Sequence, residues 1–291
     1  MNGAEPAWGV DSEHGRMLDV LVCRPDNFRW LITSAITQAT FDAGLRFDPE
    51  LAASQHAALV SAYEDAGVRV HFLEPDPALP YQVFTRDSST MGPNGTVVTQ
   101  PAQWWRRGEY APVIRFHQEA EIPIRGMITA GSLEGGDVMI IEPGSVLIGC
   151  GEGRSQKVAA NQLADWFRED GWEAWVQPIP ERYVHIDVLS AVLGEKLAAV
   201  CAEVLPAPTI EWLRAKGFDL IEVSEEQAFT LGANAISLGD GRVISAAGAD
   251  ELNGALSARG VEVIELDLSM FTLGGGGPHC LSQALRRERL G

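Results

Sequence analysis

Cys280 is the residue of this sequence best suited to covalent chemistry. It ends the stretch Leu-Gly-Gly-Gly-Gly-Pro-His-Cys, whose glycines and proline are incompatible with a helix or a regular strand. The residues that follow are good helix formers with basic residues at their far end, so we expect a helix to begin at Cys280. A thiol at a helix N-terminus has a lowered pKa, because the helix dipole favours the thiolate. The alternative interpretation is a buried, unreactive thiol in a turn.

Three further motifs place carboxylates and an imidazole beside apolar segments. Asp87 ends Phe-Thr-Arg-Asp, and Glu134 and Asp137 flank the glycines of Glu-Gly-Gly-Asp. In His-Ile-Asp, an alternation of period two predicts that His185 and Asp187 share one face of a strand. Each motif alone could be a loop carboxylate or a structural pair. Their joint occurrence with a candidate nucleophile favours a catalytic site.

A thiol, an imidazole and a ring of carboxylates suit a cationic electrophile. In a peptidase, extra carboxylates would oppose the oxyanion that forms in the transition state. A guanidinium is planar and always charged, and carboxylates bind its forked N–H donors in pairs. Thiolate attack on its central carbon gives a tetrahedral intermediate, from which an imidazole can protonate the departing nitrogen and later activate water.

The elements that must position these residues repeat along the chain. Gly67, Gly171, Gly217 and Gly260 each lie between a predicted helix and an alternating strand, as glycines that end helices do. The first gap is about twice the others, so it holds two units, one of which lacks its glycine. This spacing predicts five units, at 17–80, 81–127, 128–181, 182–225 and 226–291.

Each unit is predicted to run strand, strand, helix, strand. Turn residues between apolar runs indicate β-hairpins at 89–98, 138–148, 188–200 and 235–245. Helices are predicted at 49–66, 155–170, 208–216 and 250–259. No linker-like tract separates the units, so we interpret 1–291 as a single α/β domain with internal repetition. The alternative is a two-domain α/β protein whose glycines recur by chance.

Composition argues against several classes of protein. The formal net charge of −18 disfavours binding to nucleic acid or to an anionic membrane surface. No apolar run reaches the roughly 18 residues of a membrane span, and the first residues lack the pattern of a signal peptide. The four cysteines are widely separated, without a Cys-x-x-Cys pair, which argues against a structural zinc site and a disulfide framework. We therefore expect a cytoplasmic protein.

Together these motifs resemble those of the guanidine-modifying enzymes of the pentein superfamily. This superfamily includes arginine deiminases, dimethylarginine dimethylaminohydrolases, agmatine deiminases and amidinotransferases. The motifs Phe-Thr-Arg-Asp, Glu-Gly-Gly-Asp, His-Ile-Asp and Gly-Gly-Gly-Gly-Pro-His-Cys occur in the family's order and span nearly the whole chain. The resemblance implies a five-bladed α/β propeller, which agrees with the five units, and it implies no metal and no cofactor.

The resemblance also implies roles for individual residues. Cys280 would be the nucleophile and His185 the general acid and base. Glu134 would bind the guanidinium and orient His185. Asp87 and Asp187 would grip the guanidinium nitrogens.

Three arginines are candidates for binding a substrate carboxylate. Arg154 lies where deiminases carry an arginine for the substrate α-carboxylate, and Arg106 or Arg107 resembles a second such residue. The alternative for all three is solvated surface charge.

The resulting prediction is a cysteine-dependent hydrolase that cleaves a C–N bond in the guanidino group of arginine or of a methylated or related arginine. The reaction would pass through a covalent thiouronium on Cys280 and give a citrulline-type product with ammonia or an alkylamine. The compact length suits a dimethylarginine dimethylaminohydrolase or the catalytic domain of an arginine dihydrolase. The alternatives are an amidinotransferase and a non-enzymatic binding protein of the same fold. The expected partner is a small cationic guanidino compound, and a homodimer is left open.

Overall fold

The computed structural model describes residues 8–291, so most of the N-terminal stretch that lacks a signal-peptide pattern lies outside the described residues. The strands are β1 Met17–Cys23, β2 Arg69–Leu73, β3 Ser89–Gly92, β4 Gly95–Val98, β5 Ile124–Met127, β6 Val138–Glu142, β7 Ser145–Cys150, β8 Glu173–Pro178, β9 Ser190–Gly194, β10 Leu197–Val200, β11 Asp219–Glu222, β12 Ile236–Gly239, β13 Arg242–Ala246, β14 Glu262–Leu266 and β15 Gln283–Arg287. The helices are α1 Ala35–Asp42, α2 Pro49–Asp65, α3 Tyr110–Glu119, α4 Lys157–Glu169, α5 Ala207–Ala215, α6 Glu225–Phe229, α7 Asp250–Ser257 and α8 Ser269–Thr272.

Across residues 8–291 the strands form five sheets of three strands each, which we call blades. Blade two is β3-β4-β5, blade three is β6-β7-β8, blade four is β9-β10-β11 and blade five is β12-β13-β14. In each, an antiparallel hairpin is followed by a helix and by a strand that returns parallel to the second hairpin strand. The predicted α/β propeller of five repeated strand-strand-helix-strand units is confirmed.

Blade one joins the two ends of the chain. Its order is β15-β1-β2, in which β1 pairs antiparallel with β15 and parallel with β2. The helix predicted to begin at Cys280 is therefore wrong, because Gln283–Arg287 is a strand and every residue in it is buried. Helix propensity is a weak preference, and here pairing with β1 overrides it.

The helix-ending glycines have the backbone conformation that their positions predict. Gly67, Gly171, Gly217 and Gly260 have φ of 78°, 84°, 84° and 76°, in the left-handed region that favours glycine. Glu121 has a φ of 54° just after α3, so it occupies the place of the missing glycine in blade two. The five-unit count inferred from four glycines thus has a structural explanation.

The inner strands of the blades form the core. Strands β6 and β7 are continuous apolar runs with nearly every residue buried, as expected when both faces of a strand are covered. Packed helices complete each blade; Asp48 begins α2 by accepting hydrogen bonds from the N–H groups of Glu50 and Leu51. Among the described residues no helix is both long and apolar enough to span a membrane.

Short 3-10 turns at 85–87, 135–137 and 186–188 precede the first strands of blades two, three and four. Asp187 lies within the third turn and His185 immediately before it, while β9 begins only at Ser190. The prediction that His185 and Asp187 share one strand face is therefore wrong. The turns bring both residues to the common site described below.

Candidate active site

The thiol of Cys280 is buried between an amide and a carboxylate. Asn234 donates a hydrogen bond from Nδ2 to Cys280 Sγ at 3.3 Å, and the thiol lies 3.5 Å from Asp187 Oδ2. The Oδ1 atom of Asn234 accepts from the backbone N–H groups of His279 and Cys280 at 3.1 and 3.3 Å. One amide side chain therefore fixes both the thiol and the loop that carries it.

Sequence reasoning missed Asn234. It lies in Gly-Ala-Asn-Ala-Ile-Ser, at the start of blade five, where the corresponding turns of other blades carry Asp87 and Asp187. The repeat was the signal that could have found it, because each blade opening was a candidate position. A neutral amide is less conspicuous than a carboxylate in an apolar context.

The surroundings of Cys280 hold its thiol in the neutral form. Burial, together with the charges of Asp187 and Asp87, raises the thiol pKa well above its ordinary value, and the hydrogen bond from Asn234 offsets this only in part. The expected lowering by a helix N-terminus does not occur, because no helix follows the cysteine. Formation of the thiolate therefore needs a change in the local charge.

His185 lies between two carboxylates. Its Nε2 is 2.8 Å from Glu134 Oε2 and its Nδ1 is 3.6 Å from Asp87 Oδ1. Burial opposes its protonation, but the charges of Asp87 and Glu134 outweigh burial and raise the pKa to about 9. Gly136 permits this packing, since a Cβ there would lie 2.5 Å from His185 Nδ1. At neutral pH the imidazole is a cation with protons to donate.

Asp187 presents an unpaired oxygen inside the protein. Its Oδ2 lies 2.8 Å from His279 Nδ1, whereas its buried Oδ1 has no hydrogen-bond partner among residues 8–291. Burial opposes ionisation, but the hydrogen bond and charge of His279 hold the pKa of Asp187 below its ordinary value. A buried, ionised oxygen without a donor is costly, and a ligand with N–H groups would satisfy it.

The three candidate arginines differ in their surroundings. Arg106 is fully buried, with Nη1 2.6 Å from Asp87 Oδ2 and two further hydrogen bonds to the carboxylate of Glu109. Arg154 lies 3.2 Å from Glu134 Oε2, and its side chain is 11% exposed. Arg107 is exposed and does not line the site. The structure thus brings together every predicted site residue except Arg107.

A cavity of about 20 Å³ lies among Asp87, Arg106, Arg154, His185 and Cys280. Its lining includes Tyr81, Phe84, Arg154, Gly275 and the thiol. A space of this size holds about one water molecule, so a substrate as large as arginine requires the surrounding segments to move.

Asp87, Glu134 and His185 also place three donor atoms within 4.8 Å of one another, as a metal site would require. One observation favours an organic cation at this place. The guanidinium groups of Arg106 and Arg154 already contact the carboxylates of Asp87 and Glu134.

Sequence comparison assigns the chain to a known family. The model of the family described as N,N dimethylarginine dimethylhydrolase, eukaryotic, matches residues 33–287. The uncharacterized protein YkgA of Bacillus subtilis is 31% identical over 276 residues, which cover 95% of this chain and 94% of that protein. An arginine deiminase of Listeria monocytogenes is 28% identical over 265 residues, covering 75% of this chain and 63% of that enzyme.

Solved structures share the same architecture. The N-terminal domain of ArgZ, an arginine dihydrolase from cyanobacteria, bound to product, superposes with a TM-score of 0.83 at 21% identity, covering 94% of this chain and 100% of that one. The DDAH of Pseudomonas aeruginosa, as a cysteine-to-serine mutant complexed with citrulline, gives a TM-score of 0.77 at 24% identity, with 92% and 99% covered. These likenesses establish the fold.

Proposed function

This chain belongs to the N,N-dimethylarginine dimethylhydrolase family of guanidine-modifying penteins, and on that basis we propose that it hydrolyses a C–N bond in the guanidino group of arginine or of a methylated or related arginine. The products are a citrulline-type amino acid and ammonia or an alkylamine. The proposed reaction needs no metal and no cofactor, and the single domain 1–291 is the proposed catalytic unit. We also propose a cytoplasmic location, since the widely separated cysteines are free thiols.

The unpaired Oδ1 of Asp187 is the observation that carries this proposal. It is buried and belongs to a carboxylate whose other oxygen is 3.5 Å from the candidate nucleophile. A guanidinium supplies both the N–H donors and the positive charge that this atom lacks. Bound there, it would place its central carbon beside the sulfur.

Binding of the cation would also activate the thiol. Asp187 and Asp87 raise the pKa of Cys280, and a guanidinium between them would offset their charges. Asp87 already accepts from Arg106 and from the N–H of Gly136, but each carboxylate oxygen has a second lone pair for the substrate. The thiolate would then form only with substrate in place.

The chemistry would proceed in two steps. Cys280 Sγ gives up its proton to solvent water and forms a bond to the guanidino carbon, and the already protonated His185 protonates the departing nitrogen as its C–N bond breaks. This step releases ammonia or an alkylamine and leaves an S-alkylthiouronium. The neutral His185 then takes a proton from water, whose oxygen attacks the same carbon. The C–S bond breaks as the proton of the new hydroxyl group passes to the sulfur, which gives the ureido product and the free thiol.

Arg154 is the arginine that we propose for a substrate carboxylate. It lines the cavity and is partly exposed, and its other contact is to the backbone oxygen of Thr33. Arg106 is better suited to hold Asp87 in place, because Glu109 and Asp87 already occupy its guanidinium. We propose that Glu134, which is hydrogen-bonded to His185, orients the imidazole.

Product analysis by mass spectrometry tests the proposal. We expect arginine or a methylated arginine, within a panel that includes agmatine and guanidino acids, to give a ureido or fully hydrolysed amino acid without an added amine. Cys280→Ser should abolish turnover while Cys201→Ser, at a buried thiol of blade four, retains it. A new guanidino compound formed only with an amine acceptor would indicate an amidinotransferase. Absence of turnover together with an unreactive Cys280 would indicate a binding protein.

A further inference from the structure

The segment before β1, residues 9–16, lies against four of the five blades. The N–H of Val10 donates to the oxygen of Gly92 in β3, and the N–H of Glu13 donates to the oxygen of Ile140 in β6. Gly9 forms an isolated bridge with Arg286 of β15, in blade one. In blade five, a Cβ on Gly239 would meet the Cα of Arg16 at 2.4 Å. This segment is therefore packed inside the ring of blades.

Glu13 connects this segment to the loop that carries Cys280, through His279. It is only 5% exposed, and its Oε1 forms an ion pair with Arg86 Nη2 at 2.8 Å. Arg86 is fixed in turn by the backbone oxygens of Gly135 and Val138. The second carboxylate oxygen of Glu13 lies 3.7 Å from Nε2 of His279.

His279 connects Glu13 to the substrate-binding carboxylate. Its imidazole is buried, with Nδ1 2.8 Å from Asp187 Oδ2 and Nε2 toward Glu13. The charged groups that face this ring are Asp187 and Glu13, which favour its protonation, and Arg86, which opposes it. Burial also opposes protonation, yet the two carboxylates prevail and raise the pKa of His279. Arg287 faces Glu13 from β15.

We propose that Glu13 and His279 are positioning residues that fix the carboxylate of Asp187 so that its Oδ1 is free to receive the guanidinium. The N-terminal segment then completes the active site from inside the ring. The inference rests on the proposed guanidine hydrolysis. Glu13 lies outside the residues that the family model matches, since that match begins at residue 33.

The selectivity of Cys280 for a cationic reagent tests this role. We would measure alkylation of Cys280 by 2-chloroacetamidine and by the neutral 2-chloroacetamide, with the modified peptide identified by mass spectrometry. Glu13→Gln removes one of the two carboxylates that keep His279 charged, so the preference for the cation should fall about tenfold. The pH above which that preference is lost should also move downward, because the pKa of His279 falls without Glu13.

Two further variants separate positioning from folding. Glu288→Gln neutralises an exposed carboxylate that pairs with Arg16 of the same segment, and it should leave the preference and its pH profile unchanged. His279→Gln keeps a hydrogen-bond donor for Asp187 but removes the charge. It should therefore lower the preference of Cys280 for the cationic reagent. It should also abolish the decline of that preference at alkaline pH, because the decline depends on the imidazolium. It also provides the test if Glu13→Gln does not fold.

The outcomes distinguish the two proposals. A cation-selective wild type whose selectivity and pH profile are unchanged in folded Glu13→Gln and His279→Gln would overturn the positioning role alone. Failure of the wild type to turn over any guanidino compound would count against the proposed function. A tenfold loss of selectivity in the variants would support the positioning role by a readout that needs no turnover.

Discussion

At Cys280 burial and the neighbouring charges raise the pKa of the thiol, and no helix N-terminus lowers it. Two carboxylates and burial keep it neutral, while His185 nearby is already protonated. Under the proposed mechanism, the thiolate would form only when a cation binds. The same carboxylates would therefore act twice, first by binding the guanidinium and then by losing their effect on the thiol pKa.

Asp187→Asn tests this coupling at the residue scale. Removing the charge next to Cys280 should lower the pKa of the thiol, so alkylation by neutral iodoacetamide at pH 7 should become faster, by about tenfold for each unit of pKa. Hydrolysis of the guanidino substrate should fall at least about a hundredfold, since the side chain loses the negative charge and one of the two acceptor oxygens proposed to bind the cation. Slower alkylation, or an unchanged rate, would show that Asp187 does not control the thiol.

The types of residue in the sequence predicted more of this site than the predicted helices and strands did. The thiol, the imidazole and three carboxylates could be named because charged groups beside apolar strands are rare. Asn234 and Glu13 escaped because an amide carries no charge, and because the position of Glu13 inside the ring depends on contacts with distant strands. The pKa of the Cys280 thiol was predicted to be lowered and is raised, because it depends on the residues that pack against the loop carrying Cys280.

At the scale of elements, helix ends carried the most reliable signal. The left-handed residue after each helix is local, so glycines marked four blades correctly. Strand β15 was mispredicted as a helix because its sequence favours a helix in isolation, and only β1, which is distant in sequence, makes it a strand. The backbone conformation at helix ends could be predicted from the sequence, and pairing between the ends of the chain could not.

Glu121→Gly tests the account of the repeat. Glu121 is exposed and holds a positive φ of 54° where four other blades have glycine. Glycine adopts this conformation without a Cβ penalty, so the substitution should raise the free energy of unfolding by about 0.5–1 kcal/mol in urea titrations. Glu119→Gly, two residues earlier and helical, should instead destabilise the protein. A loss of stability in Glu121→Gly would contradict the assignment.

At the scale of the whole molecule, the site exists because the ring is closed. Blade one contributes Cys280, blade two Asp87, blade three Glu134, and the openings of blades four and five contribute His185 and Asn234. Pairing of β15 with β1 fixes the candidate nucleophile against the other four blades. The five units could be counted from the sequence, but the contribution of the chain ends to a single blade could not.

Trapping the covalent intermediate tests the central claim most directly. The protein would be quenched in acid during turnover of its guanidino substrate, digested, and analysed by mass spectrometry. We expect the peptide that contains Cys280 to carry the mass of the substrate less the departing ammonia or amine, and the adduct to be absent from Cys280→Ser. Turnover without any adduct on that peptide, or an adduct on another residue, would contradict nucleophilic catalysis by Cys280.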